Sequence, residues 1–110
     1  MSSFKIELRE SNNINILDLK GYLDAHTAPE LEKMFQTLID RKQFDIIVNC
    51  RDLTYISSAG IRVILATKKA LKAIGADLYM THLQPQIRKV FDIIKTFKPS
   101  VFSATPRALK

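Results

Sequence analysis

Two adjacent serines, Ser57 and Ser58, lie between an apolar step and a helical pattern in the segment RDLTYISSAGIRVILATKKAL, residues 51–71. A serine in this position has three chemical uses. It can cap the helix with its side-chain oxygen, attack a substrate when a base activates it, or accept a phosphoryl group from another protein. Local sequence alone favours the cap, and the other two uses depend on the rest of the chain.

Nucleophilic catalysis finds little support in the sequence. A serine nucleophile needs a base, and the chain has two histidines, His26 and His82. The segment YISSAG is not the G-x-S-x-G motif, because Tyr55 or Ile56 occupies the place of its first glycine. The phosphate-binding motif G-x-x-x-x-G-K-[ST] is absent, and the histidines and the single cysteine do not have the spacing of metal ligands. We therefore predict no enzyme, no cofactor and no metal site.

Composition points to a small soluble domain. The chain has 110 residues, of which 46% are hydrophobic, enough for one domain with a core of its own. No apolar run approaches the length of a membrane span, and the N-terminus MSSFKIELRE has no apolar core of a signal peptide. One cysteine, Cys50, excludes an internal disulfide. The expected location is the cytoplasm.

The charge is clearly basic. Seventeen Lys and Arg against 11 Asp and Glu give a formal net charge of +6. Such a charge indicates either a solvated basic surface or an acidic partner such as nucleic acid. The basic residues are spread along the chain, and aromatic residues do not alternate with them as base stacking requires. We favour the solvated surface and predict no direct contact with nucleic acid.

Hydrophobic periodicity places the strands. FKIELR alternates apolar and polar residues, and the turn Ser11-Asn12-Asn13 joins it to NINILDLKGYL, so residues 4–19 should contain an antiparallel hairpin. FDIIVNC at 44–50 is typical of a strand buried on both faces. ADLYMTHL at 76–83 predicts a further strand, and SVF at 100–102 a short edge strand.

Helical spacing appears in three segments, near residues 27–41, 58–74 and 85–95. Thr27 and Glu30 match the T-x-x-E capping box of the first helix, and Gly75 suits the end of the second. TPRALK at 105–110 predicts a last helical turn. The apolar residues expected to line the buried faces are Leu31, Met34, Phe35, Leu38 and Ile39, then Ile61, Ile64, Leu71 and Ile74, and finally Ile87, Val90, Phe91 and Ile94.

This order of elements defines the fold class. Strand–helix–strand units imply right-handed crossovers. We expect a single α/β domain whose mixed sheet of four or five strands is packed by three to four helices. The loop between the third strand and the second helix, which carries the two serines, should open at the carboxyl edge of the sheet, where α/β folds usually place their sites.

Three segments together resemble a known family. GYLDAHTAPELEK at 21–33, RDLTYISSAGIRVIL at 51–65 and the pattern L-x-P-x-I-R-K-V-F-D-I-I at 83–94 are similar to the STAS domain, and more narrowly to bacterial anti-sigma factor antagonists. The resemblance covers nearly the whole chain and weakens after Lys95. It implies a STAS-like domain over residues 1–110.

The resemblance implies a partner-switching protein. Family members bind an anti-sigma factor that is also a serine kinase, are released when that kinase phosphorylates a serine in a D-S-[ST]-G signature, and are restored by a PP2C-type phosphatase. In this sequence Ser58 matches the acceptor serine, Gly60 the signature glycine and Ala59 the small residue between them. Ser57 replaces the usual aspartate and is a weaker rival acceptor.

The resemblance also implies a partner surface. Asp24 matches the acidic residue of the family's first loop, so Asp24 and Ser58 should lie at one end of the sheet. Arg62 and Lys69, on the exposed side of the second helix, should contact the partner as well. Two other functions remain open at this point: a STAS scaffold or accessory subunit, of a stress-sensing complex or a lipid transporter, and a small basic nucleic-acid-binding domain.

Overall fold

The computed structural model describes residues 4–41 and 45–97. Within these ranges the chain forms four strands and three helices, which confirms the predicted α/β class. The predicted strand at 100–102 and the helical turn at 105–110 lie outside the described residues. In chain order the elements are β1 (Lys5–Ser11), β2 (Ile14–Leu23), α1 (Ala28–Asp40), β3 (Ile46–Ile56), α2 (Ser58–Ala73), β4 (Leu78–Thr81) and α3 (Pro85–Phe97).

The four described strands form one mixed sheet in the order β1-β2-β3-β4. β1 and β2 are antiparallel, whereas β2–β3 and β3–β4 are parallel. Asn12 and Asn13 adopt φ angles of 49° and 66° between the first two strands. Positive φ at both central residues defines the turn whose twist suits a two-residue hairpin. The predicted hairpin is therefore confirmed.

β3 is longer than its hydrophobic run. FDIIVNC predicted a strand ending at Cys50, but β3 continues to Ile56 alongside β2. The pairing shifts by one residue between Asp18 and Lys20, and again between Gly21 and Tyr22. Each shift places an extra residue on β3, and such bulges break the alternation of buried and exposed side chains. For this reason the second half of the strand has no strand pattern in the sequence.

The helices cover one face of the sheet. Alternate residues of β2 are buried there and form one apolar cluster with residues of all three helices. The cluster includes Leu17, Leu19 and Leu23 from β2, Leu31, Phe35 and Leu38 from α1, Ile64 and Leu71 from α2, and Ile87 and Phe91 from α3. Met34, Ile39, Ile61 and Val90 are partly buried. The predicted helix faces are confirmed at these positions.

One predicted core residue of α2 is not buried. Ile74 is 55% exposed, because it follows the last helical turn and is the C-cap residue of α2. Gly75 comes next with φ of 83°, the left-handed conformation that ends many helices. The helix therefore ends at the position predicted from Gly75. Its last helical residue is Ala73, so Ile74 lies just outside the helix and is not part of its buried face. The side chain of Ile94 lies outside the described set.

The opposite face of the sheet is polar where β1, β2 and β3 expose it. Asp18 accepts hydrogen bonds from Arg9 Nε at 2.6 Å and from Asn49 Nδ2 at 2.8 Å. The Arg9 guanidinium and then Asn49 hold the pKa of Asp18 below its ordinary value against the cost of burial. Lys5, Glu7, Lys20, Arg51 and Asp52 surround this pair. Cations and anions alternate here, as in the solvated surface that the composition favoured.

Cys50 is a buried strand residue, as the sequence indicated. It is a free thiol with no exposed surface. Burial raises the pKa of Cys50 to about 12. The side chain is therefore a neutral thiol at physiological pH and has the reactivity of a core residue.

Candidate functional site

The carboxyl ends of β2 and β3 meet at one edge of the sheet. Leu23, the last residue of β2, is paired with Ile56, the last residue of β3. The N–H of Ser57 then donates to the carbonyl of Leu23 at 2.8 Å. Asp24 and Ser58 each follow one of these paired strand ends, so the structure places both at the same edge of the sheet.

Ser57 caps α2. Its backbone is extended, with φ of −95° and ψ of 172°, and its Oγ accepts the N–H of Gly60 at 3.3 Å. A serine oxygen in this role bonds one of the first N–H groups of the helix, which have no partner within the helix. Half-buried and hydrogen-bonded in this way, Ser57 performs the capping role that local sequence favoured.

Ser58 is the first residue of α2 and is exposed. Within the described part of the chain, its side chain forms no hydrogen bond and no ion pair. The first turn of α2 contains no acidic residue. The hydroxyl is thus presented to solvent at the positive end of the helix dipole, a place that stabilises negative charge.

Gly60 allows α2 to approach the ends of the two strands. A Cβ atom at this position would lie 2.7 Å from Cγ of Leu23 and 3.1 Å from Cγ1 of Ile56. Both leucine and isoleucine belong to the packed core, which leaves no room for such an atom. The glycine therefore fixes the position of the helix start, and Ala59, half-buried, lies between it and the exposed Ser58.

Asp24 has a structural role of its own. Its Oδ1 accepts the N–H groups of His26 at 2.9 Å and Thr27 at 3.1 Å. In return the Thr27 hydroxyl accepts the N–H of Asp24 at 2.8 Å and donates to the carbonyl of Tyr22. These bonds form a capping box between Asp24 and Thr27. The predicted box of Thr27 and Glu30 is wrong, because the Thr27 hydroxyl is already engaged one turn earlier.

The model of the STAS domain family matches residues 5–107. The chain belongs to the STAS domain family. A STAS domain is therefore the unit that carries the serine-bearing helix start and the Asp24 loop.

Several relatives of this STAS domain share a name. It is 30% identical to a Bordetella bronchiseptica protein with the provisional name anti-sigma factor antagonist BtrV, over 81% of this chain and 77% of that protein. It is 33% identical to the anti-sigma-B factor antagonist of Staphylococcus epidermidis, over 66% and 68%. The solved structure of the anti-sigma factor antagonist SpoIIAA in its unphosphorylated form is 25% identical, covers 83% of each chain and superposes with a TM-score of 0.70.

Two further predicted residues lie along α2 of this STAS domain. Arg62 and Lys69 are both exposed. Arg62 is one helical turn from Ser58, whereas Lys69 is about 16 Å from Ser58 along the helix axis at 1.5 Å per residue. The structure therefore places Arg62 one turn from Ser58 and leaves Lys69 in the far part of the same helix.

An exposed pair of tyrosines borders the site and was missed from the sequence. Tyr22 and Tyr55 are register partners one residue before the paired strand ends, and their ring centroids are 5.9 Å apart. They are 56% and 48% exposed. Exposed aromatic residues are frequent in the centres of protein interfaces. Sequence alone does not indicate that the two tyrosines are neighbours, because their pairing depends on the bulges of β3.

Other kinds of site are not found within the residues that the structure describes. There is no group of three or more His, Cys, Asp and Glu side chains that could hold a metal ion. None of the described helices combines the length and the apolar content needed to cross a membrane.

Substitution of Asp24 should separate its capping role from its charge. Desolvation alone would raise the pKa of Asp24, but hydrogen bonds from His26 and Thr27 outweigh it and lower that pKa. We expect Asp24→Ala to reduce the melting temperature by about 4 to 8 °C, and Asp24→Asn to keep it within about 2 °C, because asparagine caps almost as well. Thermal unfolding at pH 7 measures both.

Acid should change the order of the Asp24 variants. A carboxylate whose folded pKa is lowered stabilises the protein at neutral pH, and this contribution is lost as the pH falls below 3.8 through the lowered pKa. The parent should therefore lose stability relative to Asp24→Asn on acidification. Equal melting temperatures for Asp24→Ala and the parent would contradict the cap.

Proposed function

We propose that this STAS domain is an anti-sigma factor antagonist whose binding to an anti-sigma factor with serine-kinase activity is controlled by phosphorylation of Ser58. One observation carries the proposal: Ser58 presents an exposed hydroxyl at the start of a helix that Gly60 fixes against the core. The names of the relatives support the antagonist role. The proposed partner surface is centred on Ser58 and includes Asp24 and Arg62. Its other members are the cap residue Ser57 and the α2 residues Ala59, Gly60 and Lys69.

The two serines differ in what phosphorylation would disturb. Phosphorylation of Ser57 would convert the oxygen that accepts the Gly60 N–H into a phosphate ester oxygen, at a half-buried position. A phosphate on Ser58 would disturb no hydrogen bond of that side chain. This difference supports Ser58 as the acceptor and Ser57 as the cap.

The proposed reaction is an ordinary phosphoryl transfer. In the kinase complex the Ser58 oxygen forms a bond to the γ-phosphorus of ATP, the bond between that phosphorus and the bridging oxygen breaks, and ADP leaves. The serine proton passes to a base of the kinase. A PP2C-type phosphatase reverses the modification by adding water to the phosphoserine, which releases inorganic phosphate. The STAS domain contributes the acceptor and its placement.

Phosphate at Ser58 should act on binding far more than on folding. It adds about 1.5 to 2 negative charges at neutral pH. The start of α2 tolerates that charge, because its first turn has no acidic residue and its dipole is positive there. An interface that desolvates the neutral hydroxyl does not tolerate it, since burying an unpaired charge is costly. Modification would therefore release the partner from a folded antagonist.

The test is to incubate the purified protein with its anti-sigma factor kinase and ATP and to locate the phosphate by mass spectrometry. The parent and Ser57→Ala should be phosphorylated at Ser58, and Ser58→Ala should remain unmodified. The melting temperature of Ser57→Ala must be checked first, because loss of a cap costs about 1 kcal/mol. Phosphate found elsewhere in the parent, or full modification of Ser58→Ala, would refute the assignment.

A further inference from the structure

Arg62 lies one helical turn after Ser58 on the exposed side of α2. We infer that Arg62 receives the phosphate of Ser58 in the modified protein, as an ion pair across that turn. The inference rests on the proposed function, in which Ser58 is the acceptor. It assigns to Arg62 a role in the phosphorylated state in addition to its proposed contact with the partner.

The spacing suits such a pair. Residues four apart on a helix have Cβ atoms about 5–6 Å apart, and the favourable orientation has the anion nearer the helix N-terminus. Ser58 and Arg62 have this spacing and this order. The planar guanidinium donates two parallel N–H groups, a geometry that matches two phosphate oxygens.

Arg62 is available for the phosphate. Within residues 4–41 and 45–97 it forms no ion pair or hydrogen bond, whereas Arg9 and Arg51 are each paired with an aspartate. The sequence of α2, SAGIRVILATKKALKA, contains no acidic residue that could compete. Lys69 is too far along the helix to reach the phosphate directly.

Neighbouring elements carry other charges, but these do not hold Arg62. Asp24 and His26 lie in the adjacent loop, where the Asp24 carboxylate accepts N–H groups of its own loop. The outward charges at the start of α1, which packs against α2, are Glu30, Glu32 and Lys33. No ion pair links any of these five residues to Arg62 in the described structure. Their charges are the same in every variant tested below.

The pair would change the partner surface at two residues at once. The hydroxyl of Ser58 becomes a phosphate, and Arg62, exposed in the unmodified protein, becomes occupied. Pairing also stabilises the free, phosphorylated antagonist, which adds to the loss of partner affinity. Phosphorylation would therefore alter the partner surface over a full turn of α2, from Ser58 to Arg62.

The experiment installs phosphoserine at position 58 during translation, so that no kinase is needed, and titrates the phosphate by ³¹P NMR. The second pKa of phosphoserine is about 6 in the absence of partners. A nearby cation favours the dianion, so Arg62→Gln should raise this pKa by about 0.3 relative to the parent, as for an exposed helical pair. Lys69→Gln, which removes the same charge from the same helix, should leave the pKa at the parent value.

Two more measurements sharpen the result. Arg62→Lys should give an intermediate phosphoserine pKa, because lysine keeps the positive charge but lacks the paired N–H donors of the guanidinium. The difference in this pKa between the parent and Arg62→Gln should shrink in 1 M salt, where the Debye length is about 3 Å. An unchanged pKa in Arg62→Gln, or an equal rise in Lys69→Gln, would overturn the inference. Failure of the kinase to modify Ser58 would refute the proposed function while leaving this titration unaffected.

Discussion

Ser58→Asp should weaken binding to the anti-sigma factor by a factor on the order of 100 or more, because an unpaired charge in a desolvated contact costs about 2 to 5 kcal/mol. The exposed hydroxyl of Ser58 forms no hydrogen bond in the described structure, so an interface would enclose a small neutral group. A carboxylate there must lose its hydration. Arg62 can pair with the carboxylate in the free protein, which stabilises the unbound form further.

The same substitution should leave the fold intact. Ser58 is exposed at the first position of α2, and the first turn has no acidic residue. Aspartate near a helix N-terminus gains about 0.3 to 1 kcal/mol from the dipole. The melting temperature of Ser58→Asp should therefore equal or slightly exceed that of the parent, which makes any loss of binding an effect on the interface.

Two neutral variants serve as controls for the binding measurement, made by titration calorimetry with the purified partner. Ser58→Asn has nearly the shape of aspartate without its charge and should retain most of the affinity. Ser58→Ala should bind as the unphosphorylated parent does and should keep that affinity when ATP is added, whereas the parent should lose it. An equal loss of affinity in Ser58→Asn would mean that the size of the side chain, and not its charge, weakens binding. Parent-like binding by Ser58→Asp would favour the scaffold function over the charge switch.

Local periodicity predicted most of the fold. The alternation in β1 and the paired asparagines determined the hairpin, because both features depend on residues close in sequence. The helix starting at Ser58 and its end at Gly75 were likewise local. The second half of β3 was not predictable in this way: its two bulges arise from pairing with β2, and no short stretch of sequence contains that information.

The site was predictable only in part, for similar reasons. The sequence motif around Ser58 and Gly60 identified the residues at the start of α2. The pairing of Leu23 with Ile56 explains why Asp24 lies at the same edge of the sheet. The capping box predicted at the start of α1 does not form, because the overlapping D-x-x-T and T-x-x-E patterns share Thr27 and its hydroxyl bonds within the turn that precedes the helix. Sequence alone does not reveal which pattern is used. Which family residues bind a partner remains a prediction.

Lys68 shows how charge in a sequence can mislead. It is one of the basic residues of α2, yet its side chain is 5% exposed. Its Nζ donates to Asp77 Oδ1 at 2.8 Å and to the Leu78 carbonyl at 2.7 Å. The ammonium also lies 5.5 Å from the centroid of Tyr79, a distance typical of cation–π contacts. Lys68 therefore joins α2 to the start of β4, while its neighbour Lys69 is exposed.

Lys68→Met should lower the free energy of unfolding by about 3 kcal/mol, because removing one partner of a buried ion pair leaves the other charge poorly compensated. Methionine fills much of the lysine stem, so the loss reflects the ammonium rather than a cavity. Urea unfolding measures it, and Lys69→Met, an exposed change on the same helix, should alter stability by less than about 0.5 kcal/mol.

The double variant Lys68→Met/Asp77→Asn decides whether the ion pair is the cause. Asparagine removes the charge of Asp77, which is 14% exposed, and its side-chain oxygen can still accept the Leu78 N–H that Asp77 Oδ1 accepts at 2.7 Å. If separation of the Lys68 ammonium from the Asp77 carboxylate dominates the loss, the double variant should be more stable than Lys68→Met alone, a coupling that a double-mutant cycle reports directly. Additive losses would instead assign the effect to the Leu78 carbonyl and to packing, since these contacts depend on Lys68 and not on the charge of Asp77.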